Sequence, residues 1–423
     1  MDYRRRIVDD ELDELLEGVS AVAIEGPKAV GKTATALQRA RTMHELDDPA
    51  QREIAAADPA RLLAGQGPVL IDEWQRLPAS WDLVRRAVDL DPGPNRFLLT
   101  GSASPDNPAT HSGAGRIIRV RMRPLSLAER GLVRPTLSLG AMLRGERPDV
   151  TGQSSLTLRD YTREIVASGF PAIRHLSGRA LRAQLESYIS RVVDKDFQEL
   201  GYSVRDPDLL LRWMRAYAAA SSTTATLETV RDAATSGEGA KPSRDSVLAY
   251  RSALERLWLL DPVRAWLPSR NQIARLTRPD KHQLTDPALA ASLLGVTAEA
   301  LLEGDDAGME IPRDGTLLGH LFESLVTQSL RVYAQAQEAE VRHLRTKNGR
   351  HEVDLIVVRP DQRVVALEVK LARTISDDDV RHLHWLRGEI GDDLLDAAVI
   401  TTGAHAYRRE DGIAVVPAAL VGA

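Results

Sequence analysis

Eight residues near the start of the chain constrain its fold more than any other feature. Residues 26–33 read Gly-Pro-Lys-Ala-Val-Gly-Lys-Thr, which fits the pattern G-x-x-x-x-G-K-[ST]. An apolar run at 19–24 precedes them, and a helix-forming run at 34–40 follows. A strand, a glycine loop and a helix N-terminus in this order direct backbone N–H groups at phosphate oxygens. The motif predicts a phosphate-binding loop in an α/β domain with a doubly wound parallel sheet.

Each residue of this loop has a predicted part in binding ATP. Gly26 and Gly31 permit backbone conformations and close approaches that side chains would block. Lys32 is predicted to reach the β- and γ-phosphates, and the Thr33 hydroxyl to ligate Mg²⁺. The predicted cofactor contacts are Gly26, Pro27, Lys28, Ala29, Val30, Gly31, Lys32, Thr33, Asp72 and Ser102. A chance Gly-Lys-Thr turn is the weaker interpretation, because the flanking strand and helix are both in place.

A second apolar run, at 68–71, ends in two acids, Asp72 and Glu73. The carboxyl ends of buried parallel strands face the ligand. Asp72 is therefore predicted to hold Mg²⁺ beside Thr33, directly or through water, and Glu73 to orient and deprotonate the attacking water. The alternative is a pair of acids that caps a helix.

The run at 96–102 predicts a third strand, which ends in small polar residues rather than acids. We expect this strand to lie beside the acidic one, with Thr100 or Ser102 near the γ-phosphate or the attacking water. A plain turn after a strand is the alternative.

Arg116 follows a glycine and precedes an alternating strand. Its guanidinium is a candidate for stabilising charge on the transferring phosphoryl group, within the subunit or across an interface. An exposed arginine in a hairpin explains the same pattern equally well.

Composition places these motifs in a globular chain of several domains. The 423 residues are 43% hydrophobic and 27% charged, and they include no cysteine. This size predicts two to four domains. Because there is no apolar run of membrane-spanning length and no signal-peptide core, we expect a cytoplasmic protein without a membrane partner. The net charge of −5 means that any nucleic-acid binding must rest on a local patch.

The motifs taken together resemble a family of bacterial and archaeal AAA-type ATPases, with matches along almost the whole chain. The residues that carry the resemblance are the loop at 26–33, DEWQRLP at 72–78, LLTGS at 98–102, Gly115-Arg116, RPLSLAE at 123–129, SGFP at 168–171, YISRVVDKD at 188–196, EVDL at 352–355 and EVK at 368–370. The family usually has arginine at the position of Lys28. The resemblance implies an N-terminal ATPase, a helical segment, a winged-helix-like region and a C-terminal nuclease-like domain.

We place the predicted boundaries at 1–145 for the ATPase, 146–204 for a helical linker, 205–295 for the winged-helix-like domain and 310–423 for the nuclease-like domain. Helical patterns at 209–219, 227–234 and 244–259 and a hairpin arm at 260–267 predict the winged helix. Six arginines there could follow the phosphate backbone of DNA or RNA: Arg244, Arg251, Arg264, Arg270, Arg275 and Arg278. A protein-packing module with solvated arginines is the alternative.

The C-terminal segment contains acids on apolar scaffolding. If a hairpin is centred on Asp361, Asp354 lies opposite Glu368, and Lys370 shares the face of Glu368. With Glu323 on a preceding helix, the set resembles the PD-(D/E)XK nuclease superfamily. The resemblance implies a divalent metal held by Asp354, Glu368 and Glu323, with Lys370 stabilising the developing charge.

The sequence thus predicts an ATPase that is coupled to nucleic-acid engagement, with Mg²⁺-dependent cleavage as a second activity. An ion pair across the strands of an inactive fold is the alternative at the C-terminal acids. The alternative function is an ATP-dependent switch or scaffold whose C-terminal modules bind protein. The acidic balance of residues 310–423 favours this alternative, and a homo-oligomer is left open.

Overall fold

The computed structural model describes residues 3–102, 114–202, 204, 206–235, 241–268, 278–303, 316–346 and 349–423. The N-terminal region is built on five parallel strands: β1 Ala21–Glu25, β2 Thr42–Glu45, β3 Val69–Asp72, β4 Phe97–Gly101 and β5 Ile117–Arg121. They lie in the order β2-β3-β4-β1-β5. The central strands β1, β3 and β4 are buried along their full length, as expected for a parallel sheet covered on both faces. The predicted parallel sheet is confirmed.

Parallel pairing brings the ends of three strands to one edge of this sheet. Strand β4 lies between β1 and β3, with Thr100 beside Ile24 and Leu99 beside Ile71. Asp72, the last residue of β3, therefore lies near Thr100 and near the loop that follows β1. This is the edge at which ligands bind in open α/β sheets.

The helices of the N-terminal region are α1 Val8–Gly18, α2 Lys32–Ala36, α3 Pro49–Ala57, α4 Ala79–Leu90, α5 Leu127–Arg130 and α6 Leu139–Leu143. A buried ion pair between Arg6 and Glu129 fastens them to the sheet. The Nε atom of Arg6 donates to Glu129 at 2.8 Å, and its two Nη atoms donate to the carbonyls of Val30 and Arg123. The other carboxylate oxygen of Glu129 accepts from the backbone N–H of Ser126 at 2.8 Å, as part of a capping box.

The middle of the chain is helical. Its helices are α7 Leu158–Val166, α8 Pro171–Arg174, α9 Gly178–Arg191, α10 Phe197–Glu199, α11 Pro207–Ala219, α12 Leu227–Ala233, α13 Arg244–Arg256, α14 Pro287–Leu294 and α15 Ala298–Glu303. A π-helical turn, Val192–Asp196, joins α9 to α10. The three helices predicted for the winged helix are present as α11, α12 and α13. Leu260 and Val263 form antiparallel bridges with Leu284 and Lys281, so the predicted arm does pair with a returning strand. The winged-helix assignment itself stays a prediction.

The C-terminal region is a mixed sheet between two helices, α16 Thr316–Gln335 and α17 Asp377–Ile390. Its strands are β7 Glu340–Arg345, β8 Glu352–Val358, β9 Val364–Lys370, β10 Leu394–Thr401, β11 Tyr407–Arg408 and β12 Ala414–Pro417, in the order β11-β12-β10-β9-β8-β7. Leu355 and Val357 pack in the core that contains α16, whereas Ile356 and Val358 pack in the core that contains α17. This alternation follows from the two-residue period of a strand.

One hydrophobic core runs through all three regions. It includes Ile24 of the first sheet, Tyr161 and Trp213 of the middle helices, and Phe322 and Leu367 of the last region. In addition, β13 Val421–Gly422 pairs in parallel with β6 Leu137–Ser138. The packing therefore continues across the predicted boundaries, which remain predictions.

This continuity predicts that a cavity near β13 destabilises the whole chain. Leu420 is buried and packs in the shared core, so Leu420→Ala should lower the free energy of unfolding by about 2–5 kcal/mol. Leu90→Ala is the matched control, because Leu90 is 88% exposed and its loss should cost about 0.5 kcal/mol or less. Urea unfolding followed by circular dichroism measures both. Equal midpoints for the two variants would contradict the shared core.

Candidate functional site

Two glycines shape the loop that follows β1. A Cβ atom on Gly26 would lie 2.3 Å from the carbonyl oxygen of Met122, so a side chain there would collide with backbone. Gly31 has φ +102°, a conformation that side chains disfavour, and it caps the N-terminus of α2. The two positions at which the motif requires glycine are therefore the positions at which the fold requires it.

Lys32 is buried within the loop and bound by the loop's own backbone. Its Nζ atom donates to the carbonyl oxygens of Gly26 at 3.0 Å and Pro27 at 2.9 Å. Burial lowers the pKa of Lys32 to about 8, although the nearby carboxylates of Glu73 and Asp72 act in the opposite direction. An ammonium group held in this way is close to the loop that would surround a phosphate.

Asp72, at the end of β3, accepts hydrogen bonds from two hydroxyl groups. Thr33 Oγ1 donates to Asp72 Oδ1 at 2.7 Å, and Thr100 Oγ1 donates to the same oxygen. Burial raises the pKa of Asp72, and the two hydroxyls oppose this rise. A threonine hydroxyl beside a carboxylate is a set of hard oxygen donors that suits Mg²⁺. The residues at this position therefore fit the predicted ion.

Residue 34 adds no second hydroxyl to this group. Position 34 is Ala34, whose methyl side chain forms no hydrogen bond. The next hydroxyl of α2, on Thr35, is buried and lies 3.1 Å from the hydroxyl of Tyr3. Thr33 is therefore the residue of α2 whose hydroxyl is available to the predicted ion.

Glu73 has an unusual backbone conformation and a fixed side chain. Its φ of 53° and ψ of 47° lie in the left-handed region, which is uncommon for glutamate. Its Oε2 atom accepts a hydrogen bond from Ser102 Oγ at 3.0 Å and another from Gln75 Nε2. The structure thus brings Glu73 and Ser102 together. Gln75 was missed by the sequence reasoning, although it lies within the run at 72–78 that carries the family resemblance.

Lys28 points away from the loop toward the middle helices. Its Nζ atom lies 2.6 Å from Asp196 and 3.5 Å from Glu199, and its carbonyl accepts from the Tyr188 hydroxyl at 3.3 Å. Asp196 ends the π-helical turn and is 3% exposed. The run at 188–196 is therefore attached to the phosphate loop. Its part in the resemblance was a signal for this contact, but its partner could not be read from the sequence.

Arg116 lies at the opposite edge of the first sheet. It precedes Ile117, which pairs with Ala21 at the start of β1, whereas the loop follows the end of β1. Four residue steps along a strand span roughly 13 Å. The Nε atom of Arg116 binds Asp89 at 2.8 Å instead. This position does not favour a contact with the phosphoryl group within the same subunit, and the role of Arg116, within the subunit or across an interface, stays a prediction.

The predicted arginine surface of the middle region is only partly described. Arg270 and Arg275 lie outside the described residues. Arg251 pairs with Glu255 at 2.7 Å, and Arg244 lies 3.7 Å from Glu228. Arg264 and Arg278 line a groove beside β7, described below. Binding of DNA or RNA through these residues remains a prediction.

The C-terminal acids meet in the predicted register. Leu355 pairs with Leu367, so the hairpin is centred on Asp361, and the carboxyl groups of Asp354 and Glu368 are in hydrogen-bonding contact. Lys370 Nζ lies 3.2 Å from Glu368. Burial raises the pKa of Glu368 well above its usual range, and Asp354 raises it further. Burial raises the pKa of Asp354 as well, but Lys281 and Lys370 lower it, and its pKa is lowered on balance.

Lys281 occupies the centre of this acid cluster and was missed by the sequence reasoning. Its Nζ atom lies 2.8 Å from Glu323, 3.5 Å from Asp354 and 3.9 Å from Glu352, and its side chain is 1% exposed. Burial raises the pKa of Glu323 to about 8, although Lys281 acts in the opposite direction. Within the described residues, no group of three or more histidine and acidic side chains is arranged to hold a metal ion.

Comparisons with known proteins assign a family model to the N-terminal region. Residues 19–130 match a family model described as an AAA domain. This match supports an AAA-type ATPase family for the N-terminal region. Residues 158–300 and 318–421 match two domains of unknown function, DUF8612 and DUF4143.

Two relatives extend over almost the whole chain. An uncharacterized protein of Mycobacterium bovis and one of Mycobacterium tuberculosis are each 25% identical to it over 421 residues, which is 98% of this chain and 83% of theirs. In the described part of the chain, no helix is both long enough and apolar enough to cross a bilayer.

A buried histidine beside the acid cluster predicts a loss of stability in acid. Burial lowers the pKa of His343 to about 4, and Lys281 lowers it further. The unfolded chain therefore binds more protons than the folded one between about pH 6.5 and pH 4. The stability that neutral His343 contributes is complete above pH 6.5 and falls by about 1.4 kcal/mol per pH unit as the pH drops through this window.

His343→Gln should flatten that dependence, as measured by urea unfolding at a series of pH values. His175→Gln is the matched control, because His175 is exposed. Parallel pH profiles for wild type and His343→Gln would show that His343 does not carry the effect.

Proposed function

We propose that the protein binds ATP at residues 26–33 and hydrolyses its terminal phosphoanhydride bond, with Glu73 as general base. The observation that carries this proposal is the grouping at one sheet edge. The Thr33 hydroxyl lies 2.7 Å from the Asp72 carboxylate, and Glu73, the next residue, is held by Ser102 at 3.0 Å. The AAA-domain match covers this whole grouping.

Each group has a distinct task in the proposed reaction. Lys32 places a positive charge against the β- and γ-phosphate oxygens. Thr33 and Asp72 would hold Mg²⁺, which supplies further positive charge against the same oxygens. Glu73 takes a proton from water, whose oxygen bonds to the γ-phosphorus while the bond from that phosphorus to the β–γ bridging oxygen breaks. Ser102 and Gln75 keep the Glu73 carboxylate in position.

The proposal predicts that Glu73→Gln separates ATP binding from hydrolysis. Glutamine keeps the shape and the hydrogen bonds but accepts no proton, so turnover should fall by roughly a hundredfold or more. ATP affinity should stay near the wild-type value. Phosphate release and calorimetric titration measure the two quantities.

Glu53→Gln is the matched control, because Glu53 is an exposed glutamate on α3. Lys32→Ala tests binding separately and should weaken ATP affinity. Wild-type turnover in Glu73→Gln would move the general base elsewhere, and unchanged ATP affinity in Lys32→Ala would remove the loop assignment.

For the C-terminal region we infer an ATP-operated binding module rather than a cleaving one. The contact between Asp354 and Glu368, with Lys370 beside them, supports metal-dependent phosphodiester cleavage, as do the implied roles of these residues. The position of Lys281 favours the other function, because its ammonium group lies among the carboxylates that a metal would need and pairs with Glu323 and Asp354. Engagement of nucleic acid or of protein by this module is the step that ATP would control.

This inference predicts that Lys281→Gln creates sensitivity to divalent cations. Removing the ammonium leaves the buried Glu323 without its ion-pair partner and should destabilise the chain by about 3–5 kcal/mol. Mg²⁺ or Mn²⁺ should then restore part of the lost stability, and should have little effect without the substitution. Thermal unfolding in a Lys32→Ala background measures this without a contribution from the phosphate loop.

Lys195→Gln is the control, because Lys195 is exposed. Mg²⁺-dependent cutting of supercoiled DNA by the wild type, lost in Asp354→Ala with ATP turnover unchanged, would contradict the inference. That result would establish the predicted nuclease activity instead.

A further inference from the structure

Three arginines converge on a single aspartate where the N-terminal sheet meets the middle and C-terminal regions. Arg121 Nη1 and Arg123 Nε lie 2.9 Å from the two carboxylate oxygens of Asp261, and Arg331 binds the same carboxylate. Arg121 ends β5, Arg331 lies on α16, and Asp261 lies in the arm after α13. Three segments distant in the sequence thus contribute one charge cluster.

The cluster has more positive charge than its carboxylate neutralises. Asp261 is the one ion-pair partner of these three guanidinium groups in the described part of the chain, so two positive charges have no carboxylate in contact, although Glu11 and Glu25 act on Arg123 and Arg121 from further away. Burial lowers the pKa of Arg121 and of Arg331 well below the usual range, and the charge of Arg123 lowers both further. Uncompensated charges of this kind are costly away from water.

Several N–H donors of the cluster are also unused. Among the described residues, Arg121 Nε, Arg121 Nη2 and Arg331 Nε have no hydrogen-bond partner. Trp258 lies against this group, with the guanidinium carbon of Arg121 4.8 Å from its ring centroid. Buried donors are normally paired, so these donors indicate a missing acceptor rather than a finished packing arrangement.

The cluster lines a cavity large enough to admit such an acceptor. The cavity has a volume of about 710 Å³ and is also lined by Arg251, Arg264 and Arg342. A second cavity of about 770 Å³ shares Arg264 and Arg342 and continues past Arg278 toward Arg359. Arg264 has no ion-pair partner within the described part of the chain, so it is free to bind a ligand.

The cavity is joined to the phosphate loop through backbone. Arg121 lies beside Glu25 in the pairing of β5 with β1, and the Met122 N–H donates to the Glu25 carbonyl at 2.7 Å. Glu25 is followed directly by Gly26. A ligand bound to Arg121 and Arg123 would therefore act on the strand that carries the loop, from outside the ATP site.

We propose that this cavity is a second phosphate-binding site, in which a phosphate group of a ligand accepts hydrogen bonds from Arg121, Arg123 and Arg331. Guanidinium groups recognise phosphate oxygens with paired donors, and the negative charge of a phosphate favours their charged form. The phosphate belongs either to a small nucleotide or to the backbone of a single strand. The site lies beyond the proposed ATP reaction, and its test does not depend on that reaction.

The test uses the full chain with Lys32→Ala, which removes the phosphate contact of the loop. Inorganic phosphate, against chloride at matched ionic strength, should raise the midpoint of thermal unfolding. Arg121→Met keeps the aliphatic stem against Trp258 and should weaken phosphate binding by roughly tenfold or more, as expected for a lost charge-assisted hydrogen bond. Arg163→Met is the control, since Arg163 is exposed on α7, and it should match its parent.

Arg342→Met is a second test, on the open side of the cavity. It leaves the buried cluster of arginines intact, and it should also reduce the rise in unfolding midpoint that phosphate causes. An unstructured, unphosphorylated oligonucleotide and AMP then compete for the site. Competition by the oligonucleotide identifies a strand backbone, and competition by AMP alone identifies a small nucleotide. A phosphate effect that is absent, or that is equal in Arg121→Met, Arg342→Met and Arg163→Met, overturns the proposal.

Discussion

The buried ion pair of Arg6 and Glu129 connects the phosphate loop to the rest of the N-terminal region. One guanidinium reaches the Val30 carbonyl in the loop and the Arg123 carbonyl after β5, while the carboxylate caps the helix that begins after Ser126. The pKa of Glu129 is lowered although burial acts to raise it, because Arg6 and two backbone N–H groups outweigh burial. Losing either Arg6 or Glu129 would leave the other buried charge without its partner. It would also remove hydrogen bonds that hold the loop, the segment after β5 and the helix cap.

Much of the fold could be predicted from motifs and apolar spacing within single segments of the sequence. The loop motif and three apolar runs predicted β1, β3 and β4 but not β2, and parallel pairing then places Asp72 near Thr33. The centre of the C-terminal hairpin predicted which residues face each other, since strand register is a matter of counting from the turn. The helices at 209–219 and 227–234 were found from their apolar spacing within one or two residues of their ends.

The contacts that decide function are the ones that no local pattern contains. Lys281 is 42 residues from Glu323 in the sequence, so no local pattern marks it as the counter-ion of the C-terminal acids. Asp196 meets Lys28 across 168 residues. Arg116 lies beside the start of β1, because the parallel strand that follows it begins at that end. Lys281, Glu323 and Asp196 are charged and buried, so their partners are fixed by tertiary packing.

The pairing of β13 with β6 bears on how the protein is made. Ser138 donates a hydrogen bond to the carbonyl of Ala423, a contact across 285 positions, and Tyr161 binds the backbone of Ala419. Contacts of such long sequence separation form late and slow folding. On a ribosome, the N-terminal region would therefore emerge with part of its apolar surface uncovered until residues 418–423 have been synthesised. Chaperones would need to protect the nascent chain over that interval.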